Sequence, residues 1–144
     1  MLPEQVLDRI KAMECLKLSD RTPVWWDAYS VGSKAIASAE TGTLISDLDC
    51  GPFALALLYA EVTFSAAANV DLTIDLRARP PGRSDYSAEP FSRGVLGFNT
   101  SSPYKRYFWL PVDIRLVDML SIYYSHPTAA AGITLDYLGL RLVV

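Results

Sequence analysis

The stretch Val70-Asp71-Leu72-Thr73-Ile74-Asp75-Leu76-Arg77-Ala78-Arg79 decides how this chain reads. Val70, Leu72, Ile74, Leu76 and Ala78 fall on one side of an extended backbone; Asp71, Thr73, Asp75, Arg77 and Arg79 fall on the other. Side chains of a strand alternate between faces, so the pattern predicts an antiparallel strand with one face on a core and one in water. A slip of one residue would bury the charges, which fixes the register.

Strand patterns continue on both sides of this segment. Phe53 to Ser65 is long, apolar and aromatic, as expected of a strand buried on both faces. Residues 80 to 93 form a polar loop with three prolines and Gly82. Beyond it the pattern predicts strands at Gly94–Phe98, at Arg106–Leu110 stopped by Pro111, at Ile114–Tyr124 and at Ile133–Val144. Ser101-Ser102-Pro103 and His126 to Gly132 read as turns. At least six strands after residue 52, with no βαβ alternation and no internal repeat, predict a mainly β domain: an antiparallel, jelly-roll-like β-sandwich or barrel.

The N-terminal part differs. Val6, Leu7, Ile10, Met13 and Leu16 recur at helical spacing, with Pro3 and Glu4 suited to a first turn, and Thr22-Pro23 closes the segment. Residues 1–22 are expected to form a helical arm and 23–144 the β domain. Val24 to Tyr29 reads as a strand or an extended arm, and Thr41-Gly42-Thr43 as a turn.

Composition narrows the class. At 144 residues, half of them hydrophobic, the chain makes one domain with a core that needs neither disulfides nor metal. A net charge of −3 with interspersed signs argues against nucleic acid, and the lack of a Lys/Arg block argues against a membrane anchor. The start carries no apolar signal-peptide region, and the longest apolar run, Phe53 to Ala60, is far short of the about 20 residues a spanning helix needs. Synthesis in a cytoplasm fits, with Cys15 and Cys50 read as buried or semi-buried thiols first and as a disulfide second. Gln5, Asn69 and Asn99 are the only amides and nine of thirteen basic residues are Arg, a composition compatible with a thermophilic source.

No catalytic constellation stands out, and the expectation is a non-enzyme without cofactor. His126, the sole histidine, lies in a predicted turn and reads as exposed or backbone-bonded; a hydrolase would need Asp or Ser partners brought to it by the fold. Asp47 and Asp49 lack the downstream acid of a calcium loop and read as turn residues. Asp71 and Asp75 share a strand face with Arg77 and Arg79, which suits a polar surface better than a glycosidase pair. Two cysteines and one histidine make no four-ligand zinc site, and no metal is assigned.

The aromatics carry the binding argument. Trp25 and Trp26 are adjacent, so an extended chain points them in opposite directions. Tyr104, Tyr107, Phe108 and Trp109 pose the same question, for which a strand buried on both faces is the first reading and an exposed patch for a partner the second. Arg83 and Tyr86 sit in the long proline-limited loop. The candidate interface is therefore Val6, Leu7, Ile10, Met13, Trp25, Trp26, Arg83, Tyr86, Tyr104, Tyr107 and Trp109.

From residue 93 onward, the order Arg106-Tyr107-Phe108-Trp109-Leu110-Pro111, Ser121-Ile122-Tyr123-Tyr124, the small-residue turn through Ala129-Ala130-Ala131-Gly132 and the final strand resembles the C-terminal end of tailed-bacteriophage head decoration (cement) proteins. The resemblance implies a structural virion protein that binds the outer surface of a capsid and stabilises it. It further implies a homo-oligomer, a trimer by preference, with the major capsid protein as partner and the capsid exterior as location. The alternative is a carbohydrate-binding β-sandwich module, which a small β domain rich in aromatics and poor in catalytic groups would equally suit.

Overall fold

The computed structural model describes residues 25–126 and 131–144, all of it strand, turn and loop. The expected helix with Val6, Leu7, Ile10 and Met13, and Cys15 with it, lies outside the described residues. Eight strands follow in order: β1 (Trp25–Ile36), β2 (Thr41–Asp49), β3 (Leu55–Thr63), β4 (Leu72–Arg79), β5 (Ser92–Leu96), β6 (Lys105–Asp113), β7 (Met119–Ser125) and β8 (Ile133–Val143). They form two four-stranded antiparallel sheets, β1-β8-β3-β6 and β2-β7-β4-β5. Every connection except β4–β5 passes from one sheet to the other, which is the jelly-roll-like sandwich the strand spacing predicts. Among the described residues there is no helix long and apolar enough to cross a membrane.

The deciding strand behaves as its alternation requires. Leu72, Ile74 and Leu76 are fully buried, Ala78 nearly so, and Thr73, Asp75, Arg77 and Arg79 sit on the solvent side. They meet Leu58, Leu138, Leu140 and Leu142 of the facing sheet and Leu120 and Ile122 of β7 in one continuous core. Ile114 and Val117, in the connection between β6 and β7, plug one end of the sandwich.

Several expectations are corrected. Residues of β3 are not buried on both faces: Ala56, Leu58, Ala60 and Val62 point inward while Leu57 is exposed and Tyr59 half-exposed. Pro111 does not stop its strand, because β6 is an edge of its sheet and a missing N–H on the outer side costs no ladder bond. Residues 114–118 are a connection, and only Met119–Ser125 is strand. Thr41-Gly42-Thr43 opens β2; the turn lies before it at 37–40, where Ala39 takes φ of 60°. Of the two readings of Val24 to Tyr29, the strand is the one found: Trp25 to Tyr29 belongs to the twelve-residue edge strand β1. His126 is fully buried at the end of β7, with its N–H donated to the Glu40 carbonyl and no ring partner among the described residues.

Candidate functional site

The strand register of the β1-β8-β3-β6 sheet places Ser30, Gly139, Tyr59 and Trp109 side by side on its outer face. The row on one side of them is Gly32, Tyr137, Glu61 and Tyr107; the row on the other is Asp27, Arg141, Leu57 and Pro111. Pairs at such cross-strand positions touch, and here they assemble an aromatic surface. The Tyr59 and Trp109 ring centroids lie 4.8 Å apart at 35°, and Tyr59 and Tyr137 lie 6.0 Å apart at 45°. Trp109 is 70% exposed and Tyr107 54%, so these rings present their surfaces to solvent instead of supporting the core.

Two backbone features shape this surface. Asp136 is an extra residue in β8 relative to β3, a bulge that shifts the pairing between Glu61 and Val62 and re-aims Tyr137. Its carboxylate accepts the Thr63 hydroxyl at 2.5 Å and lies 3.8 Å from the Lys105 ammonium. Gly139 supplies the second feature: with no side chain, it lets the Tyr137 ring lie over it, at the wall of a cleft of about 330 Å³ that Tyr59, Trp109 and Arg141 also line.

The polar margin of the cleft is fixed in place. Arg141 donates Nε to Asp27 Oδ1 at 2.6 Å and Nη2 to Oδ2 at 3.3 Å, and its guanidinium lies 5.0 Å over the Trp25 ring. The Arg141 hydrogen bond holds the Asp27 carboxyl below its ordinary range. A guanidinium has five N–H donors, so this pairing leaves others for a ligand. Desolvation among its neighbours, then the Glu61 charge, pushes the Tyr59 hydroxyl up and keeps it a neutral donor and acceptor.

Of the sequence-predicted residues, Trp25, Tyr107 and Trp109 share this face. Trp26 points to the other side of β1 and stacks on Phe53 at 5.9 Å. Tyr104 is half-buried in the turn before β6 with φ of 65°. Tyr86 belongs to the opposite sheet's surface, where its hydroxyl donates to Asp47 at 2.6 Å, and Arg83 is exposed in the same loop. The two-sided burial expected of Tyr107 and Trp109 is corrected: nothing among the described residues covers this face. Sequence reasoning missed Tyr59, Tyr137, Gly139, Asp27 and Arg141. Their one signal was parity, since Tyr59 and Arg141 alternate with the leucines that form the core.

The other candidates resolve into structural roles. Asp49 Oδ1 accepts the Gly51 N–H, a local turn bond, and Asp75 binds Arg93 in a two-pronged pair at 2.6 and 3.0 Å. Asp71 accepts the Phe98 N–H at 2.9 Å. Among the described residues no three His, Cys, Asp or Glu side chains converge as metal ligands.

No protein family and no curated protein matches the sequence. Similar solved structures do exist. One is a Family 16 Carbohydrate Binding Module-2, at TM-score 0.53 and 12% identity over 75% of this chain and 74% of that one. Another is the CBM22-1 xylan-binding domain of Paenibacillus barcinonensis Xyn10C, at TM-score 0.51 and 13% identity over 85% of this chain and 97% of that one. These establish a shared β-sandwich fold. They overturn the expectation of a capsid decoration protein, which rested on the strand pattern after residue 93. In this chain that pattern corresponds to an edge strand (β6), a central strand (β7) and a long closing strand (β8) of the sandwich.

Proposed function

We propose that the chain is a carbohydrate-binding module that holds a neutral glycan on the outer face of the β1-β8-β3-β6 sheet. The observation that carries this reading is the solvent-facing cluster of Tyr137, Tyr59 and Trp109 beside the cleft at Gly139. A pyranose ring has apolar C–H faces and a rim of hydroxyls. It therefore matches an aromatic floor with hydrogen-bonding groups at its margin, and ring contacts supply area while the polar groups fix orientation. Tyr59, Tyr137 and Trp109 are the floor; Arg141, Asp27, Glu61 and Ser30 are the margin. The fold shared with two carbohydrate-binding modules, one of them a xylan-binding domain, supports the class of ligand. The role proposed is binding without catalysis.

The test is affinity electrophoresis and titration calorimetry of the full chain against soluble xylan, mixed-linkage β-glucan and galactomannan. At least one should retard the protein, and Trp109→Ala and Tyr59→Ala should each weaken that binding roughly tenfold with an unchanged circular-dichroism melt. Were Trp109→Ala instead to turn a self-associated protein into a monomer, with no glycan bound by either form, the face would be a subunit interface and the proposal wrong.

A further inference from the structure

The opposite sheet carries a second surface that the aromatic face does not explain. On the outer side of β2-β7-β4-β5, the register places Asp75 beside Tyr123, Arg77 beside Ser121 and Thr43 beside Tyr123. Thr41, Thr43, Asp75, Arg77, Tyr123 and Ser125 line a cleft of about 480 Å³ there. Its walls carry hydroxyls, the Arg77 cation, the Asp75 carboxylate and the Tyr123 ring, whereas the other face is built mainly of exposed aromatic rings.

The state of the charges sets what this cleft can take. Asp75 is already neutralised by the two-pronged bond from Arg93. Arg77 has no ion pair among the described residues, its Nε is buried without a hydrogen-bond partner there, and its guanidinium lies 5.3 Å over the Tyr123 ring. Leaving a buried charged donor unpaired is costly, and a guanidinium placed over an aromatic ring keeps its charge and can still pair with a planar or tetrahedral anion. The surrounding hydroxyls both donate and accept, as the hydroxyls of a sugar require.

We infer that this cleft is a second saccharide site, for an anionic sugar unit whose carboxylate or sulfate pairs with Arg77 while Thr41, Thr43 and Ser125 meet its hydroxyls. Arg77 supplies the charge, Tyr123 holds it in place, and Arg93 keeps Asp75 from competing. The whole chain carries a net charge of −3, so it has no general attraction for polyanions and binding must come from a local site. Because the site lies on the other sheet, it stands or falls independently of the neutral-glycan face.

The experiment is titration of the full chain with polygalacturonate, whose charges are carboxylates, and with dextran sulfate, whose charges are sulfate esters, against uncharged dextran. Binding to one or both charged polymers is expected, and which one binds assigns the anion. Arg77→Gln should weaken it roughly tenfold or more, the scale of a lost charge-assisted bond. Arg77→Lys, which keeps the charge but loses the fork, should fall between. Trp109→Ala should leave anionic binding intact, and Arg77→Gln should leave any neutral-glycan binding intact. The inference is overturned if neither polyanion binds, or if Arg83→Gln, at an exposed loop position, weakens binding as much as Arg77→Gln. It is equally overturned if Arg77→Lys and Arg77→Gln both melt as the parent does and bind as the parent does.

Discussion

A Cβ placed on Gly139 would stand 2.7 Å from the hydroxyl oxygen of Tyr137 and 2.9 Å from its ring edge, so the Tyr137 ring occupies the space above the glycine. The clash is with the free end of a side chain, which can swing aside, and the position is on an outer face. Gly139→Val should therefore change stability by about 1 kcal/mol or less. It should also displace the Tyr137 ring from its contact with Tyr59 and narrow the cleft. The expected result is a thermal midpoint close to that of the parent, with glycan affinity down three- to tenfold, the scale of a lost aromatic contact. Equal affinity for the variant would remove Tyr137 from the platform.

The Asp27–Arg141 pair gives the same face a pH signature. A carboxyl held below its ordinary value of 3.8 contributes to the folded state above that pH, and the contribution disappears as pH falls through the lowered folded value. The Asp27 carboxyl carbon, followed by NMR, should titrate below 3.8 in the parent and return towards it in Arg141→Gln. Binding of a neutral glycan should be flat between about pH 8 and 5, since this pair stays charged throughout that window. Asp113, lowered to about 2 by the Arg115 side chain and N–H, is an internal control that should not respond to Arg141→Gln.

Between the two sheets, the Phe108 ring of β6 lies directly against Gly94 of β5. A Cβ on Gly94 would collide with the Phe108 ring, which is packed against the core and cannot turn away as Tyr137 can. Gly94→Ala should cost about 1–3 kcal/mol by overpacking. The denaturant midpoint should drop with little change in slope, and Phe108→Leu added to Gly94→Ala should cost less than the two single effects combined.

The fold was legible wherever one face of a strand was charged. In β4 the charges leave one assignment, and Leu72, Ile74 and Leu76 are buried as that assignment requires. In β3 the outward Leu57 and Tyr59 are as apolar as their inward neighbours, so the exposed face was hidden by its own composition. Pro111 read as a stop because sequence does not tell an edge strand from a central one. The candidate site was illegible for a related reason. Tyr59, Trp109, Tyr137 and Gly139 meet only because β3 pairs with both β6 and β8, and no local pattern records that pairing. The Asp136 bulge, which aims Tyr137, has no local signature either.

Cys50 tests the sandwich from inside. It is fully buried, and burial, reinforced by the neighbouring Asp49 charge, pushes its thiol up to about 12. A folded pKa raised above the unfolded value favours the folded state fully below the unfolded value. That advantage is lost as pH rises from there through the folded value, because only the unfolded chain can then ionise. Between about pH 9 and 12 this one group should tilt stability by about 1.4 kcal/mol per pH unit against folding. In a Cys15→Ser background, which isolates the buried thiol, Cys50 should resist a thiol reagent at pH 8 and react fully once urea unfolds the chain. Adding Cys50→Ala should flatten the alkaline fall in stability even though the smaller side chain lowers the value at neutral pH. Rapid labelling of the native protein at pH 8, at a rate insensitive to mild urea, would mean that the end of β2 opens without global unfolding and that Cys50 is no part of a closed core.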